Sequence, residues 1–282
     1  MKQLLARWVP LFIGQGLNAI TLFSKRRGAK LGIDLFCKVR AGRIKPKQAK
    51  YLDPAKFQME EIGEHRIQTY HWPGDGPSVL LLHGWESNVF RWRNLIGFLR
   101  EANFNIFAFD APGHGYSSGD RLYAPLYAEV TREIMNRYAP QHIVAHSMGG
   151  MSTLYDHYVR PESDIEKIVT IGSPCDFKEI MDQYQNTLKF NKRAYKAMDN
   201  YLKEWIGHHV DEFSSAIFVK NNTKKGLLFH DIEDRQISVE ASRKVHKHWK
   251  GSQYIETKGL GHSMHQEGVN KQIIAFLKNN ES

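Results

Sequence analysis

The sequence predicts an α/β fold built on a doubly wound, mostly parallel sheet. Short apolar runs with the length of buried strands recur along the chain, and stretches with the length of helices separate them. This alternation requires crossover connections, which place helices on both faces of a parallel sheet. The 282 residues, 41% hydrophobic and 24% charged, are sufficient for such a core and exclude a disordered or collagen-like chain.

The individual elements follow from local patterns. The segments 57–62 and 66–72 flank Gly63-Glu64-His65, an arrangement typical of a β-hairpin. After a turn cluster at 73–77, six apolar runs are candidates for buried strands: 79–82, 106–109, 143–145, 168–171, 227–229 and 254–257. Five stretches have the length of helices: 91–101, 123–138, 148–158, 239–250 and 270–278.

One segment, from 177 to about 224, interrupts the alternation. It has helical lengths without an apolar strand and is rich in aromatic residues, most of which we expect to pack the insertion onto the body. An insertion at this point of a doubly wound sheet lies where a cap would cover a pocket. We therefore predict a helical extension over 1–54 and an α/β domain over 55–282 that carries a helical cap insertion.

The basic charge of the chain is confined to its first fifty residues. The net charge is +9, but residues 1–50 hold twelve Lys and Arg against the single acid Asp34, and the remaining residues sum to −2. The nearly neutral body, which carries no zinc-finger, helix-turn-helix or RNA-binding signature, argues against nucleic acid as a partner. Cys37 and Cys175 are too few for a disulfide framework, and we expect two buried thiols in a reducing compartment.

The first 24 residues are apolar with a few basic residues. Four apolar residues fall on one helical face: Leu4, Trp8, Leu11 and Phe12. Pro10, Gly14 and Gly16 are expected to weaken a continuous helix. Three interpretations stay open, namely a helix packed on the body, a segment on an anionic membrane surface and a secretory signal. The basic run at 25–27 and the lack of a clear cleavage site disfavour secretion. We predict a cytoplasmic protein, with association at the inner membrane surface through residues 1–50 as the alternative.

Ser147 is the leading candidate for a nucleophile. A nucleophilic serine projects from a sharp strand-to-helix turn, which needs small residues two positions before and two positions after it. Ala145 and Gly149 occupy these positions, with an apolar strand before them and a helix-forming run after them. The literal Gly-x-Ser-x-Gly pattern at 115–119 lies instead in a polar loop without those elements, so Ser117 is disfavoured.

His262 is the expected base for Ser147. A serine hydroxyl is a weak nucleophile until a base removes its proton. His262 follows the last predicted strand in a loop of Gly and Ser residues, which allows the imidazole to reach the serine. His265 is a nearby alternative, but His262 is favoured because it directly follows the loop glycines.

A carboxylate is needed to hold the second ring nitrogen of the base in the right tautomer. Asp234 lies past the predicted 227–229 strand, and the chain order Ser, Asp, His suits this sheet topology. Asp231 is closer to the strand and could instead be a structural cap. Asp176 follows the preceding strand and stays open as a third candidate, although Asp234 is favoured.

Two backbone amides are candidates for binding a developing oxyanion. Met148 is the first residue of the helix that follows Ser147. Trp85 lies in the loop after the 79–82 strand, where Gly84 lets the backbone come close. A plain tight turn at 83–85 is the alternative interpretation of that loop.

Over roughly residues 55–282, the chain resembles the α/β-hydrolase superfamily. Five motifs carry the resemblance: His83-Gly84-Trp85, Asp110-Ala111-Pro112-Gly113-His114-Gly115, Ala145-His146-Ser147-Met148-Gly149-Gly150, His230-Asp231-x-x-Asp234 and Gly259-Leu260-Gly261-His262. It implies an eight-stranded sheet, a triad of Ser147, His262 and Asp234, and an oxyanion hole at Trp85 and Met148. The chain is also similar to bacterial members with a basic helical extension. Two positions depart from the pattern, since Ala145 and Asp231 stand where Gly is usual.

Together, the residues and the resemblance predict a serine hydrolase that cleaves small-molecule carboxylic esters through an acyl-enzyme. Superfamily relatives with an Asp nucleophile act on haloalkanes or epoxides, and Ser147 disfavours those reactions. The alternatives are a thioesterase, lactonase, amidase or perhydrolase with the same triad, and a hydrolase-like binding protein without chemistry. No cofactor or metal is expected, because the pairs at 208–209 and at 246 and 248 lack a third ligand at sensible spacing.

Overall fold

The protein, seen here in a computed structural model, is described over residues 2–279, and for residues 2–7 by the backbone alone. Its strands are β1 (Lys56–Ile62), β2 (His65–Trp72), β3 (Ser78–Leu82), β4 (Asn105–Phe109), β5 (His142–His146), β6 (Lys167–Ile171), β7 (Lys225–Asp231) and β8 (Ser252–Thr257). Its helices are α1 (Lys2–Phe23), α2 (Lys25–Cys37), α3 (Pro46–Leu52), α4 (Arg93–Glu101), α5 (Ala124–Tyr138), α6 (Met148–Val159), α7 (Phe177–Leu188), α8 (Lys192–Ile206), α9 (Ser215–Phe218), α10 (Glu240–His248) and α11 (Glu267–Lys278).

The chain divides into two compact units. One unit combines the chain up to Lys38 with Asp176–Ile217, and the other combines Val39–Cys175 with the chain from Phe218 onward. The larger unit contains the sheet, and the smaller one contains α1, α2, α7 and α8.

The strands of the larger unit form one sheet in the order β1-β2-β4-β3-β5-β6-β7-β8. The pairs β1·β2 and β2·β4 are antiparallel, and the pairs from β4 through β3 to β8 are parallel. The prediction of a doubly wound, mostly parallel sheet that begins with a hairpin is confirmed. Each of the six predicted strands is present within two residues of its expected limits. The prediction of a buried strand at 254–257 is wrong in its burial, because β8 is an edge strand with no fully buried residue.

The centre of this sheet is apolar on both faces. All residues of β5 and β6 are buried, because these strands lie between neighbours on both edges and under helices on both faces. Leu82 pairs with Ala145, and His146 pairs with Ile171, so the carboxyl ends of three parallel strands lie side by side. Loops after these strands therefore meet at one edge, where open α/β sheets bind ligands.

In the smaller unit, α1 and α2 pack together with α7 and α8. Glycines allow close contact between these helices: a Cβ at Gly14 would lie 1.8 Å from the Leu188 carbonyl oxygen, and one at Gly32 would lie 2.4 Å from Met198 Sδ. Leu17 is fully buried on the same side of α1 as Gly14. This packing stabilises a helix that its own sequence favours only weakly.

Pro10, Gly14 and Gly16, which are expected to weaken a continuous helix, do not interrupt α1. Gly14 supports the packing of α1, because only a residue without a side chain fits against the Leu188 carbonyl. Of the four residues predicted to share a face, the side chain of Leu4 lies outside the described part, and Trp8 and Phe12 are exposed.

Two further sequence predictions concern cysteines and membrane spans. Cys37 and Cys175 are buried free thiols, which confirms the expectation that they form no disulfide. Over residues 2–279, no helix combines the length and the apolar character needed to cross a bilayer.

Candidate active site

Ser147 lies at the sharp turn between β5 and α6. Its backbone angles are φ 52° and ψ −121°, which are unusual for a residue with a side chain and cost about 1–3 kcal/mol. The turn needs small residues around it: a Cβ at Gly149 would lie 2.8 Å from the His83 carbonyl oxygen, and one at Gly84 would lie 3.0 Å from the Ser147 Cβ. At Ala145, a methyl group is accommodated in the fully buried end of β5.

The competing serine, Ser117, has a structural role. Its hydroxyl donates to the Asp110 carbonyl at 2.5 Å and accepts from the Gln68 N–H at 3.0 Å. The side chain is buried and joins the loop after β4 to β2. Both the donor and the acceptor capacity of this hydroxyl are therefore used within the fold.

His262 is joined to Asp234. Its Nδ1 lies 2.7 Å from Asp234 Oδ2, and the carboxylate side chain is fully buried. Burial alone would raise the pKa of Asp234, but hydrogen bonds from His230, His262 and two backbone amides outweigh it and lower the pKa well below its usual range. Asp234 therefore stays ionised and accepts a hydrogen bond from the Nδ1–H of His262, a tautomer in which Nε2 carries a lone pair and can act as a base.

The other two carboxylate candidates have different partners. Asp231 Oδ2 accepts from the Thr257 hydroxyl at 2.8 Å and from the Leu260 N–H at 2.9 Å, which ties the end of β7 to the loop after β8. Asp176 is the residue before α7, and its backbone pairs with Ser214 in the smaller unit. These contacts correspond to the structural cap that was the alternative prediction for Asp231.

A second histidine, His230, contacts the same carboxylate and was not singled out from the sequence. Its Nε2 lies 3.0 Å from the Ile237 carbonyl and 3.3 Å from Asp234 Oδ2. The Ser242 hydroxyl lies 2.7 Å from the other ring nitrogen, Nδ1. The carbonyl can only accept, so Nε2 of His230 carries a proton that also faces Asp234. His230 lies in β7 and Asp234 lies in the loop after it, so no local spacing in the sequence signals this contact.

Three neighbours fix the loop of His262. His146 Nε2 lies 2.9 Å from the His262 carbonyl, and the two rings are 4.7 Å apart between centroids. The Arg91 guanidinium donates to the Ser263 carbonyl at 2.8 Å. At Gly172, which has φ +57°, a Cβ would lie 3.2 Å from His262 Nδ1. The sequence analysis did not assign any of these three residues a role.

Two buried histidines organise the loop that contains Trp85. The Ala111 N–H donates to His83 Nε2 at 3.0 Å, so the proton of His83 lies on Nδ1 and is donated to the Gly84 carbonyl at 2.7 Å. Because a trans peptide points its N–H opposite to its C=O, the Trp85 N–H points away from His83. His114 accepts from the Glu86 N–H at 3.0 Å.

Both of these histidines are held neutral. Burial lowers the pKa of His83 to about 4 and the pKa of His114 to about 3. A neutral ring is what the contacts require, since each Nε2 accepts a hydrogen bond from a backbone amide. The segment 83–85, for which a plain tight turn was the alternative prediction, is therefore a loop held by hydrogen bonds with the side chains of His83 and His114.

A pocket of about 430 Å³ opens at this edge of the sheet. Its lining residues are Trp85, Glu86, Ser87, Arg91, Arg93, His146, Ser147, Gln236, His262, Ser263 and His265. Ser147, His262 and Trp85, which the sequence analysis selected separately, share this pocket. The alternative base His265 also lines it, and the backbone carbonyl of His265 accepts from Asn94 Nδ2 at 3.3 Å.

Within the described residues, no group of three or more His, Cys, Asp and Glu side chains is arranged to hold a metal ion. Two of the histidines considered from the sequence have other partners. His209 Nδ1 lies 3.0 Å from Asp199, and His246 Nδ1 lies 2.8 Å from the Ser252 hydroxyl.

The sequence that forms most of the larger unit matches a known protein family. Residues 76–256 match the family model described as "Serine aminopeptidase, S33". The chain belongs to this family. The matched range of this serine aminopeptidase family member includes Ser147 and Asp234 and ends before His262.

Curated relatives of this family member include enzymes of acyl chemistry. Pimeloyl-[acyl-carrier protein] methyl ester esterase of Vibrio vulnificus is 32% identical over 111 residues, which are 38% of this chain and 42% of the esterase. Human serine hydrolase-like protein is 31% identical over 42% of this chain and 60% of its own length. The (R)-3-hydroxydecanoyl-ACP:CoA transacylase of Pseudomonas putida is 22% identical over 77% of this chain and 89% of the transacylase. The chain thus aligns with less than half of the esterase.

Solved structures share the fold of this family member. Est1E from Butyrivibrio proteoclasticus, determined with bound ferulic acid, aligns with a TM-score of 0.65 at 17% identity and covers 77% of this chain and 96% of its own. An esterase from Exiguobacterium antarcticum aligns with a TM-score of 0.60 at 18% identity, over 76% and 97% of the two chains. The protein is a member of the α/β-hydrolase superfamily.

Proposed function

We propose that the protein is a serine hydrolase that cleaves carboxylic esters through an acyl-enzyme. The observation that carries the proposal is the Asp234–His262 hydrogen bond of 2.7 Å beside a pocket that Ser147 and His262 both line. An ionised carboxylate on Nδ1 gives the tautomer in which Nε2 can take a proton from a serine. The strained turn at Ser147 exposes the hydroxyl where a substrate enters.

The proposed reaction has two halves. Ser147 Oγ attacks the ester carbonyl as His262 Nε2 takes its proton, and this proton then leaves with the alcohol when the C–O bond breaks. Water, activated by His262, hydrolyses the acyl-Ser147 ester and returns the proton to the serine. The N–H groups of Met148, at the first position of α6, and of Trp85 donate to the oxyanion.

The same residues can serve related acyl transfers. A thioesterase, lactonase, amidase or perhydrolase would use the same nucleophile and base, and a non-catalytic binding protein would use neither. The relatives named for an ester or acyl carrier substrate favour acyl chemistry over binding alone. Ester hydrolysis needs no catalytic group beyond these residues, because the leaving alcohol requires only the proton that His262 holds.

The first prediction tests the nucleophile with a fluorophosphonate probe, which reacts with activated serines. We expect the wild-type protein to be labelled on Ser147, as mapped by mass spectrometry, and Ser147→Ala to remain unlabelled. His262→Ala should label more slowly by about 100-fold or more, because the base is missing. Ser117→Ala, which removes a structural hydroxyl, is the matched control and keeps the label. An unlabelled wild type, or equal labelling of wild type and Ser147→Ala, would refute the proposal.

Charge in the pocket narrows the proposed substrate class to esters that carry an acidic group. Arg91 and Arg93 both line the pocket. Their described hydrogen-bond acceptors are neutral carbonyls, those of Ser263 and Phe90 respectively. Glu86 also lines the pocket, and its carboxylate accepts from the Arg40 N–H at 3.0 Å, so the lining residues include two arginines and one glutamate. A guanidinium has five donors, so each can still bind a carboxylate or phosphate.

The second prediction compares two methyl esters of equal chain length, monomethyl glutarate and methyl pentanoate. We expect wild type to prefer the anionic ester in kcat/KM, and Arg93→Gln to lower that preference by about tenfold, the effect of one charge-assisted hydrogen bond. Arg100→Gln, an exposed arginine on the same helix α4, is the control and should keep the wild-type preference. Equal preferences in the two variants would contradict the substrate class, whereas absent turnover of both esters would contradict ester hydrolysis itself.

A further inference from the structure

One side of α1 exposes large apolar side chains. Trp8, Phe12, Ile20 and Phe23 are spaced so that they share one side of the helix, here termed the outer face. Phe12 is 72% exposed and Phe23 is 89% exposed, values that are extreme for phenylalanine. Exposed apolar residues that are scattered singly are common on protein surfaces, whereas a contiguous apolar face of this kind indicates an interaction surface.

The outer face is not needed to hold α1 in its unit. The opposite side of the helix carries Leu17 and Thr21, each only 1% exposed, and Gly14, which packs on Leu188. These residues anchor α1 against α2, α7 and α8. The helix is therefore fixed by one side, and between Trp8 and Phe23 its other side is exposed.

Basic residues follow the outer face directly. Lys25, Arg26 and Arg27 are exposed at the start of α2, immediately after Phe23. Lys30 on the next turn is paired with Asp34 at 2.7 Å, so its charge is offset. Three exposed cationic residues thus directly follow the apolar row along the chain, a composition typical of segments that lie in a membrane interface.

We propose that the outer face of α1 binds the surface of an anionic lipid bilayer. The helix would lie in the plane of the interface, because only one of its sides is free. Phe12, Phe23 and Trp8 would enter the boundary between headgroups and acyl chains, and the residues 25–27 would contact lipid phosphates. The charge of residues 25–27 is complementary to anionic headgroups, and the exposed apolar side chains suit the acyl-chain boundary. The inference concerns the smaller unit and holds independently of ester hydrolysis.

The third prediction is tested by co-sedimentation of the full chain with vesicles. We expect wild type to bind vesicles of phosphatidylcholine and phosphatidylglycerol and to bind pure phosphatidylcholine at least tenfold more weakly, with the difference shrinking at high salt. Phe12→Gln/Phe23→Gln should lower the partition coefficient by about tenfold or more. Both side chains are exposed, so circular dichroism and Tm should match wild type.

Matched controls distinguish binding through the outer face from nonspecific adsorption of the protein to vesicles. Phe57→Gln changes an exposed phenylalanine on β1, and it should leave vesicle binding unchanged. Replacing 25–27 by Gln should abolish the preference for anionic vesicles, whereas Lys247→Gln/Lys250→Gln/Lys258→Gln removes three exposed charges elsewhere and should not. With brominated lipids, Trp8→Phe should sediment like wild type but lose part of the tryptophan quenching.

Two results would overturn the proposal. The first is wild type that stays in the supernatant with anionic vesicles at low salt, or a Phe12→Gln/Phe23→Gln variant that binds them as well as wild type does. The second is a wild-type dimer in solution that the same double variant converts to a monomer without any vesicle binding. That outcome would assign the outer face to a second copy of the chain.

Discussion

Asp234→Asn is expected to lower kcat/KM for an ester by about 10⁴-fold while the protein stays folded. Asp234 Oδ1 accepts from the backbone N–H groups of Gln236 and Ile237 at 2.8 and 3.1 Å, and an asparagine oxygen would keep both contacts. The new NH₂ group would then face His262 Nδ1 at the place of Oδ2. A donor there selects the imidazole tautomer with the proton on Nε2, which cannot accept the proton of Ser147.

Asp231→Asn is the matched control for this prediction. Its carboxylate accepts from the Thr257 hydroxyl and the Leu260 N–H, so an amide would place a donor against a buried donor. We expect the free energy of unfolding in urea to fall by about 1–3 kcal/mol and kcat/KM of the folded enzyme to fall less than about tenfold. If Asp231→Asn caused the larger kinetic loss, the roles assigned to the two carboxylates would be reversed.

The free energy of unfolding is expected to fall as the pH is lowered from 6.5 to 5, because His83 and His114 resist protonation in the fold. Burial lowers their pKa values to about 4 and about 3 from an unfolded value near 6.5. Above pH 6.5 both states are neutral and stability is fully present. Below it the unfolded chain binds protons that the native state excludes, so stability decreases by roughly 2 kcal/mol per histidine by pH 5.

Urea unfolding at several pH values between 7 and 5 measures this decrease. Buried His142, His146 and His157 also have lowered pKa values and add to the total slope. His114→Gln isolates one contribution, because a glutamine can accept from Glu86 N–H and does not titrate. Its stability should change less between pH 6.5 and 5, by roughly 2 kcal/mol. A slope identical to that of wild type would show that the neutral ring of His114 is not what resists acid.

The order of the elements was predictable because buried parallel strands have a local signature. The runs at 79–82 and 143–145 are continuous apolar segments, and each ends in residues with reactive or small side chains. The crossover rule then brings their carboxyl ends to one edge. For this reason Ser147, His262 and Trp85, each selected from its own segment, could be expected to meet at one edge of the sheet.

The residues that position Asp234 and His262 could not be predicted from the same patterns. His230 contacts Asp234, and His146 contacts the His262 carbonyl, but nothing in a single histidine letter shows which neighbour its ring will face. Gly172 is one of 22 glycines, and its need for positive φ under His262 arises from a tertiary contact. The continuity of α1 through Pro10 was likewise decided by packing, which outweighs local propensity.

Because Gly14 packs on Leu188, the folding of the first helices depends on a segment that is distant along the chain. During synthesis, α1 and α2 emerge long before α7 and α8, so their apolar inner sides must remain uncovered until residues 176–217 follow. Truncating the chain before Lys38 would leave the inner sides of α7 and α8 without a partner. The first two helices and the inserted segment thus form one folding unit. We expect a chain without these helices to aggregate during folding, because the apolar sides of α7 and α8 would stay exposed.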